Sequence, residues 1–371
     1  MSPYFADSFG NPHSGDHAVG WRAAQAVDAS AQRVATLIGA DPDEIIFTSG
    51  ATESNNLALL GLGRHEKTGK RRRILVSAIE HKCVLAASRA LGEQCGYEIE
   101  MLPVDEIGCI DLATLEDTLA EDVLLVSIMA VNNEIGTIQD IGRIANLVHN
   151  YGAYFHCDAA QAPYAIDLSE TGSLCDFVSL SGHKMYGPTG IGALFVRRDL
   201  QERLEPLIYG GGQQQGLRSG TVPLPLCVGM GAAANLLSSN AAVTEGDFIR
   251  SLRDRLVEGL KRLPWSITVN GPETRHRHPG NANMCFSGFT ADTILGSLQP
   301  RLAASTGSAC TSGIPEPSHV LRAIGLTDEE AERSIRFSIG RFTTEADVDE
   351  AVDVISDTLS SLKCTNITRA I

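Results

Sequence analysis

The sequence predicts an α/β protein: a large domain on a mostly parallel seven-stranded sheet, followed by a smaller α+β domain at the C-terminus. Three observations predict it. Short apolar runs alternate with amphipathic stretches through the first two-thirds of the chain, the pattern of a parallel sheet covered by helices on both faces. The alternation stops after about residue 225, where a long helical stretch takes over. A length of 371 residues also exceeds one small domain and suits one large unit with one small.

The amphipathic stretch Val19 to Ile38 is predicted as the first helix, and the apolar run Glu44 to Thr48 as the first strand. A helix over Thr52 to Leu62 leads to a strand over Arg73 to Ser77, and a helix over Cys83 to Gln94 to a strand over Tyr97 to Pro103. Val123 to Ile128 is an apolar strand, Ile138 to Asn150 an amphipathic helix, and Ala153 to Cys157 the strand after it. The last two strands of this domain, Phe177 to Leu180 and Ile191 to Val196, are joined by a loop too short for a helical crossover. They are therefore predicted to pair antiparallel.

The domain boundary is placed at 240/241. A helical stretch over Leu224 to Leu263 is interrupted around Ser238-Ser239-Asn240, and a strand-like segment, Trp265 to Asn270, follows. A loop rich in His, Arg and Pro covers 272–280. Further strands are expected at Asn283 to Ser287 and Ser334 to Ser338, with helices between them and a final helix over Thr344 to Leu362.

The formal net charge of −15 argues against a nucleic-acid-binding surface. The one basic cluster, Lys70-Arg71-Arg72-Arg73, reads as a solvated loop. The N-terminus lacks a basic start followed by an apolar run, and the longest nearly apolar stretch, Val123 to Val131, is far short of the ~20 residues of a membrane span. Nine cysteines, an odd number with no C-x-x-C pair, fit a reduced cytoplasmic protein better than a disulfide framework or a zinc site. No membrane partner and no metal are expected.

The chemistry centres on Ser179-Leu180-Ser181-Gly182-His183-Lys184-Met185-Tyr186-Gly187-Pro188, which puts one lysine in a small-residue loop after an apolar strand. A lysine held this way suits covalent work, because lysine amines form Schiff bases with carbonyl compounds and with pyridoxal phosphate. By itself the segment is better read as a solvated surface lysine in a glycine-rich turn, and the rest of the chain overturns that reading. Other strand ends carry polar groups too, and in open α/β sheets ligands sit at such ends. Ser49-Gly50-Ala51-Thr52-Glu53-Ser54 opens a helix after the first strand, either as an anion cradle or as a plain N-cap by Thr52 or Ser49. His81, Asn133, Asp158 and Gln161 follow later strands. A pyridine nitrogen needs a carboxylate, a phenolic oxygen a donor, a ring face an imidazole and an aldehyde an amine. His81, Asn133, Asp158, Gln161 and Lys184 supply these, although each alone could be a packed residue or a cap.

Two more features stand apart. Eight of the nine residues of Ser305-Thr306-Gly307-Ser308-Ala309-Cys310-Thr311-Ser312-Gly313 are Gly, Ala, Ser or Thr, and the ninth is a cysteine. An accessible loop suits a nucleophilic thiol, while a small cysteine at a tight turn is the plain alternative. The other eight cysteines read as packing residues. In Ser334-Ile335-Arg336-Phe337-Ser338-Ile339-Gly340-Arg341 an arginine on a strand calls for a carboxylate partner, supplied by a substrate or by a structural ion pair.

Several stretches together resemble the cysteine desulfurases of the nitrogen-fixation and iron–sulfur-assembly type, pyridoxal-phosphate enzymes of fold type I related to the class V aminotransferases. They are Phe9-Gly10-Asn11-Pro12-His13-Ser14, Phe47-Thr48-Ser49-Gly50-Ala51-Thr52-Glu53-Ser54-Asn55-Asn56, Ile79-Glu80-His81-Lys82, Val131-Asn132-Asn133-Glu134-Ile135-Gly136, Asp158-Ala159-Ala160-Gln161, Ser181-Gly182-His183-Lys184, Arg218-Ser219-Gly220-Thr221, Gly307-Ser308-Ala309-Cys310-Thr311-Ser312 and Arg336-Phe337-Ser338. They occur in the family's order along nearly the whole chain.

The resemblance implies pyridoxal 5′-phosphate as cofactor, with Lys184 holding it and serving as the proton-shuttling base. It implies that Asp158 pairs with the ring nitrogen and that His81 stacks on the ring and shares acid–base duty. Gln161, with Asn133 as a second candidate, would contact the phenolic oxygen. Thr52, Ser181 and His183 would bind the phosphate, with Thr221 reaching across from the second subunit of a homodimer. Arg336, helped by Asn133, would clamp the substrate carboxylate. Cys310 would take the sulfur of L-cysteine as a persulfide, leaving L-alanine, and deliver it to an acceptor protein in an iron–sulfur, tRNA or DNA sulfur-modification pathway.

Family members begin with an extended Tyr-Leu-Asp-x-x-Ala-Thr-Thr-Pro segment. Here only Met1 to Ser8 precede Phe9, so reduced activity or stability is expected unless another start site or a partner compensates. The segment Leu362-Lys363-Cys364-Thr365-Asn366 also lacks the Ser-Pro-Leu-Trp-like tail of scaffold-binding members. A selenocysteine lyase, a class V aminotransferase and a catalytically weak sulfur relay are the alternatives. An aminotransferase has no need of Cys310, and a nicotinamide enzyme is disfavoured because no G-x-G-x-x-G follows the first strand.

Overall fold

The computed structural model describes residues 1–238, 240–307 and 317–369. The chain divides into two compact units, one of Met1–Pro103, Ile110–Val131 and Gln139–Ala242, the other of Val104–Cys109, Asn132–Ile138 and Val243–Ile371.

The first unit runs α1 (Ala18–Ile38), β1 (Ile45–Thr48), α2 (Ala51–His65), β2 (Arg73–Ser77), α3 (Lys82–Cys95), β3 (Glu98–Leu102), α4 (Leu112–Thr118), β4 (Val123–Ser127), α5 (Ile141–Asn150), β5 (Tyr154–Asp158), α6 (Thr171–Leu174), β6 (Phe177–Ser181), β7 (Gly192–Val196) and α7 (Leu224–Leu237). Its seven strands stand in the order β1-β7-β6-β5-β4-β2-β3. From β6 to β3 neighbouring strands are parallel, whereas β7 runs antiparallel to both β6 and β1. The predicted antiparallel pair is therefore present. Its residues Phe177 to Ser181 face Val196 to Gly192 in register.

Every residue of β4 and β6 is buried, which is why these strands read as unbroken apolar runs. Leu57, Leu59 and Leu62 of α2 pack with Ile74 and Val76 of β2, Val84 and Leu91 of α3, and Phe177 of β6. Fully burying one such side chain contributes about 1.5–3 kcal/mol before entropy is subtracted. The chain fills the sheet outward from β2 to β3, then returns through β4, β5 and β6. The strand order thus reverses between β2 and β4, where an open α/β sheet leaves a crevice at its carboxyl edge.

The edge strand β1 is closed by a side chain. The Gln214 amide accepts the Phe47 N–H at 2.6 Å and donates to the Phe47 carbonyl at 2.9 Å, pairing like a neighbouring strand. The basic cluster is not a solvated loop. Arg71 donates to the carbonyls of Val123 and Tyr151, and Arg72 to those of Lys67 and Cys95 while lying over the Tyr97 ring. Arg73 pairs with Glu100 and Asp122. Long guanidinium side chains reach carbonyls at the ends of neighbouring strands, and the charge run cannot reveal this.

The second unit continues with α8 (Asn240–Lys261), β8 (Ile267–Val269), β9 (Asn281–Phe286), α9 (Ala291–Leu298), α10 (His319–Ala323), α11 (Asp328–Glu332), β10 (Ser334–Ser338) and α12 (Glu345–Arg369). Its three strands form an antiparallel sheet in the order β10-β9-β8. Leu256 and Leu260 of α8, Met284 and Phe286 of β9, Ile335 and Phe337 of β10, and Ile355 and Leu359 of α12 make a separate core. Among the described residues no helix is long and apolar enough to cross a membrane.

Candidate active site

In the first unit, β5 and β6 end at expected residues, Asp158 and Ser181, and the chain leaving β2 reaches His81. β5 closes on Asp158, only 4% exposed. Its Oδ2 accepts the Asn55 Nδ2–H at 2.6 Å and its Oδ1 the Ala160 N–H at 2.9 Å. Burial pushes the Asp158 carboxyl up, while these two bonds and the neighbouring His81 and Lys184 pull it back. A carboxylate offers about four acceptor positions, so Asp158 keeps room for a further, cationic donor.

Beyond β2 the chain turns through Glu80 to His81, the N-cap of α3, whose Nδ1 accepts the Cys83 N–H at 3.2 Å. A backbone N–H only donates, so Nδ1 accepts in this contact, and the Cys83 thiol is a second donor beside the same nitrogen. Glu80 is wholly buried and accepts the Met129 N–H at 2.5 Å. Burial and the nearby Asp158 push its carboxyl well above the ordinary range.

Beyond β6, Lys184 lies exposed in a 3-10 turn, Gly182–Met185. Ser181 Oγ and His183 Nδ1 are 3.0 Å apart. Desolvation and the neighbouring Lys184 push the His183 imidazole down. At the start of α2, Gly50 is the N-cap and no side chain caps the turn. The N-cap reading of Ser49 or Thr52 is therefore replaced by a bare helix N-terminus, whose first-turn N–H groups have no intrahelical acceptor. Thr52 is exposed there. Arg218 clamps Glu53 of the same turn at 2.8 Å, which ties the Arg218–Thr221 stretch to it. Thr221 is exposed, and Gln161 is half-buried in the turn after Asp158.

The second unit holds Arg336 and Asn133. Arg336 on β10 donates from Nη1 to the Asn133 carbonyl at 2.9 Å. Its Nε is buried without a partner, and among the described residues no carboxylate pairs with it. The structural ion pair is thus not what is found, and the guanidinium keeps capacity for an external carboxylate. Ser305 bridges the backbone of Arg336. Glu134, 3% exposed, accepts the Ser318 hydroxyl at 2.5 Å, and a side chain at position 307 would meet the same carboxylate at 3.0 Å. Cys310 lies outside the described residues.

Sequence reasoning missed Asn55, Glu80 and Cys83. Asn55 stands one helical turn after Thr52 and shares its motif, a spacing that could have found it. Cys83 reads from sequence as a packing residue, yet its Sγ lies 3.0 Å from His81 Nδ1 and 3.3 Å from Asn55 Nδ2.

The family model described as aminotransferase class-V matches residues 1–351. The chain belongs to the class-V aminotransferase family. Within it the chain is 47% identical over 365 residues to the "cysteine desulfurase IscS" of Rickettsia felis, covering 98% of this chain and 87% of that one. This places it among the enzymes of the cysteine desulfurase branch. Of solved structures, a "NifS-like protein" superposes with a TM-score of 0.87 at 33% identity, over 97% of this chain and 94% of the other. A second, "SspA in complex with cysteine", gives 0.78 at 36% identity over 93% and 94%. The α/β architecture with its seven-stranded sheet is that of this family's fold type I.

Proposed function

We propose that this class-V chain converts L-cysteine to L-alanine with pyridoxal 5′-phosphate as cofactor, transferring the sulfur to Cys310 for delivery to an acceptor protein. The observation that carries the reading is Asp158, a buried carboxylate at a strand end, held by Asn55 and Ala160, with His81 and Lys184 bearing on its charge. The donor set fits the cofactor: an anion for a protonated ring nitrogen, an amine for an aldehyde, and a bare helix N-terminus with Ser181 and His183 for a phosphate.

Bound there, pyridoxal 5′-phosphate supplies an aldehyde for an amine and a protonated ring that draws electrons from the substrate carbon. Asp158 keeps the ring nitrogen protonated. Lys184 Nζ anchors the cofactor and moves protons at the substrate carbon, with His81 as its acid–base partner. Gln161, with Asn133, donates to the phenolic oxygen. Thr52, Ser181 and His183 hold the phosphate, joined by Thr221 from a second copy in a homodimer. Arg336, with Asn133, binds the substrate carboxylate. The Cys310 thiolate attacks the substrate sulfur, its S–S bond forms as the C–S bond breaks, and the released carbon is protonated. L-cysteine and the thiol thus become L-alanine and a Cys310 persulfide.

We place the protein in the cytoplasm, a reading supported by its eight described cysteines, all of them free. An iron–sulfur scaffold, a tRNA-modification enzyme or a DNA sulfur-modification enzyme would receive the sulfur. The test is alanine release from L-cysteine with intact-mass analysis of the same sample. Alanine together with one added sulfur mapped to Cys310 is expected. Bound cofactor without alanine would overturn the reading.

A further inference from the structure

Cys83 occupies the first turn of α3 with its side chain between two groups of the site. Its Sγ is 3.0 Å from His81 Nδ1, the nitrogen that also accepts the Cys83 backbone N–H. The same Sγ is 3.3 Å from Asn55 Nδ2, and Asn55 Nδ2 is 2.6 Å from Asp158 Oδ2. Asn55 is fully buried and its Oδ1 has no partner among the described residues. The amide is thus oriented only by what its two N–H groups find, one on Asp158 and one on the Cys83 sulfur. Burial pushes the Cys83 thiol up to about 11, so it stays an S–H donor at neutral pH rather than a thiolate nucleophile.

We propose that Cys83 is a positioning residue: it joins the Asn55 amide that holds Asp158 to the His81 imidazole, and its thiol proton reserves Nδ1 so that the ring presents N–H at Nε2. Asn55 donates to the sulfur, and the sulfur donates to the ring. The carboxylate expected to pair with the cofactor nitrogen and the imidazole expected to stack on its ring are therefore set by one side chain. The significance for catalysis rests on the proposed cofactor site. The side-chain chain itself stands without it.

The test uses apoprotein labelled with ¹⁵N at histidine and asparagine, with His81 assigned by its loss in His81→Gln. At mildly alkaline pH the wild type and Cys83→Ser are expected to hold His81 as the single Nε2–H tautomer. Cys83→Ala leaves only the backbone donor. It is expected to populate both tautomers and to speed exchange of the Asn55 amide protons roughly tenfold, as an opened hydrogen bond allows. A single tautomer with unchanged Asn55 exchange in Cys83→Ala would overturn the proposal. Mixed tautomers in folded Cys83→Ser would overturn it as well, which keeps the test decisive if the alanine variant fails to fold. In holoenzyme, Cys83→Ala is expected to lower kcat roughly tenfold at unchanged KM, with recovery in Cys83→Ser. Because the tautomer is read on apoprotein, its failure is distinguishable from a failure of the cysteine desulfurase reading.

Discussion

His156 and Asp158 lie on the same face of β5, two residues apart, and burial pushes the first down and the second up. Ser127 of β4 and Ser179 of β6 flank His156, at 2.8 Å from Nδ1 and 3.2 Å from Nε2. Two hydroxyls satisfy a neutral ring, but neither supplies a counter-charge. Desolvation therefore takes the imidazole down to about 3. The strand that ends in the site carries its neutral histidine as a spacer between serines.

Acid sensitivity of the apoprotein follows. The unfolded chain protonates His156 near its ordinary value of 6.5 and the folded chain only near 3, so between these values the unfolded state binds the extra proton. Stability is full above pH 6.5 and is lost as pH falls toward 3. Between pH 7.5 and 5 the loss from this residue is about 2 kcal/mol. Urea unfolding at both values should show it, and a folded His156→Asn variant should flatten the difference.

Glu80 titrates in the opposite sense. Its raised folded value means that the unfolded state gives up the proton first. The stability tied to the buried acid is complete at low pH and lost as pH rises through its folded value. Glu80→Gln mimics the protonated acid and is expected to raise the apoprotein melting temperature at pH 8 with little effect at pH 4.5. A lower melting temperature at pH 8 would show that Glu80 is needed ionised.

Lys184→Ala is expected to abolish the colour of bound cofactor. Cys310→Ser should keep the colour and lose the persulfide. Absorbance and intact mass read the two variants side by side, and desulfuration retained in Cys310→Ser would contradict the role given to that thiol.

Gln214→Ala removes both bonds to Phe47 and opens the β1 edge. A loss of about 1–2 kcal/mol is expected, together with faster aggregation by light scattering, since an unpaired edge is a template for another strand.

The seven strands were legible because strands buried on both faces are written as apolar runs, as in Phe177 to Ser181 and Val123 to Ser127. The pairing of β1 with β7 was not, because periodicity describes a strand and says nothing of its neighbour. The recruitment of 104–109 and 132–138 into the second unit was hidden for a like reason: Asn281 and Asn283 side chains reach the Glu134 carbonyl, and the Thr137 hydroxyl donates to the Ile107 carbonyl. In the site, Asp158, His81 and Lys184 stood out because charged groups at strand ends are conspicuous. Cys83 did not, since a thiol in an amphipathic helix looks the same whether it packs or donates. Only its distance to His81 separates the two.

Glu134 meets Ser318 directly and stands where a side chain at Gly307 would be, so both ends of the segment 308–316 converge on one carboxylate. The closure is therefore made by residues outside that segment. For a chain whose ends are already fastened, doubling its length costs only about 0.6 kcal/mol. The number of residues between Gly307 and Ser318 can thus change at little cost to the fold, because the carboxylate that fastens both flanks belongs to a different part of the chain.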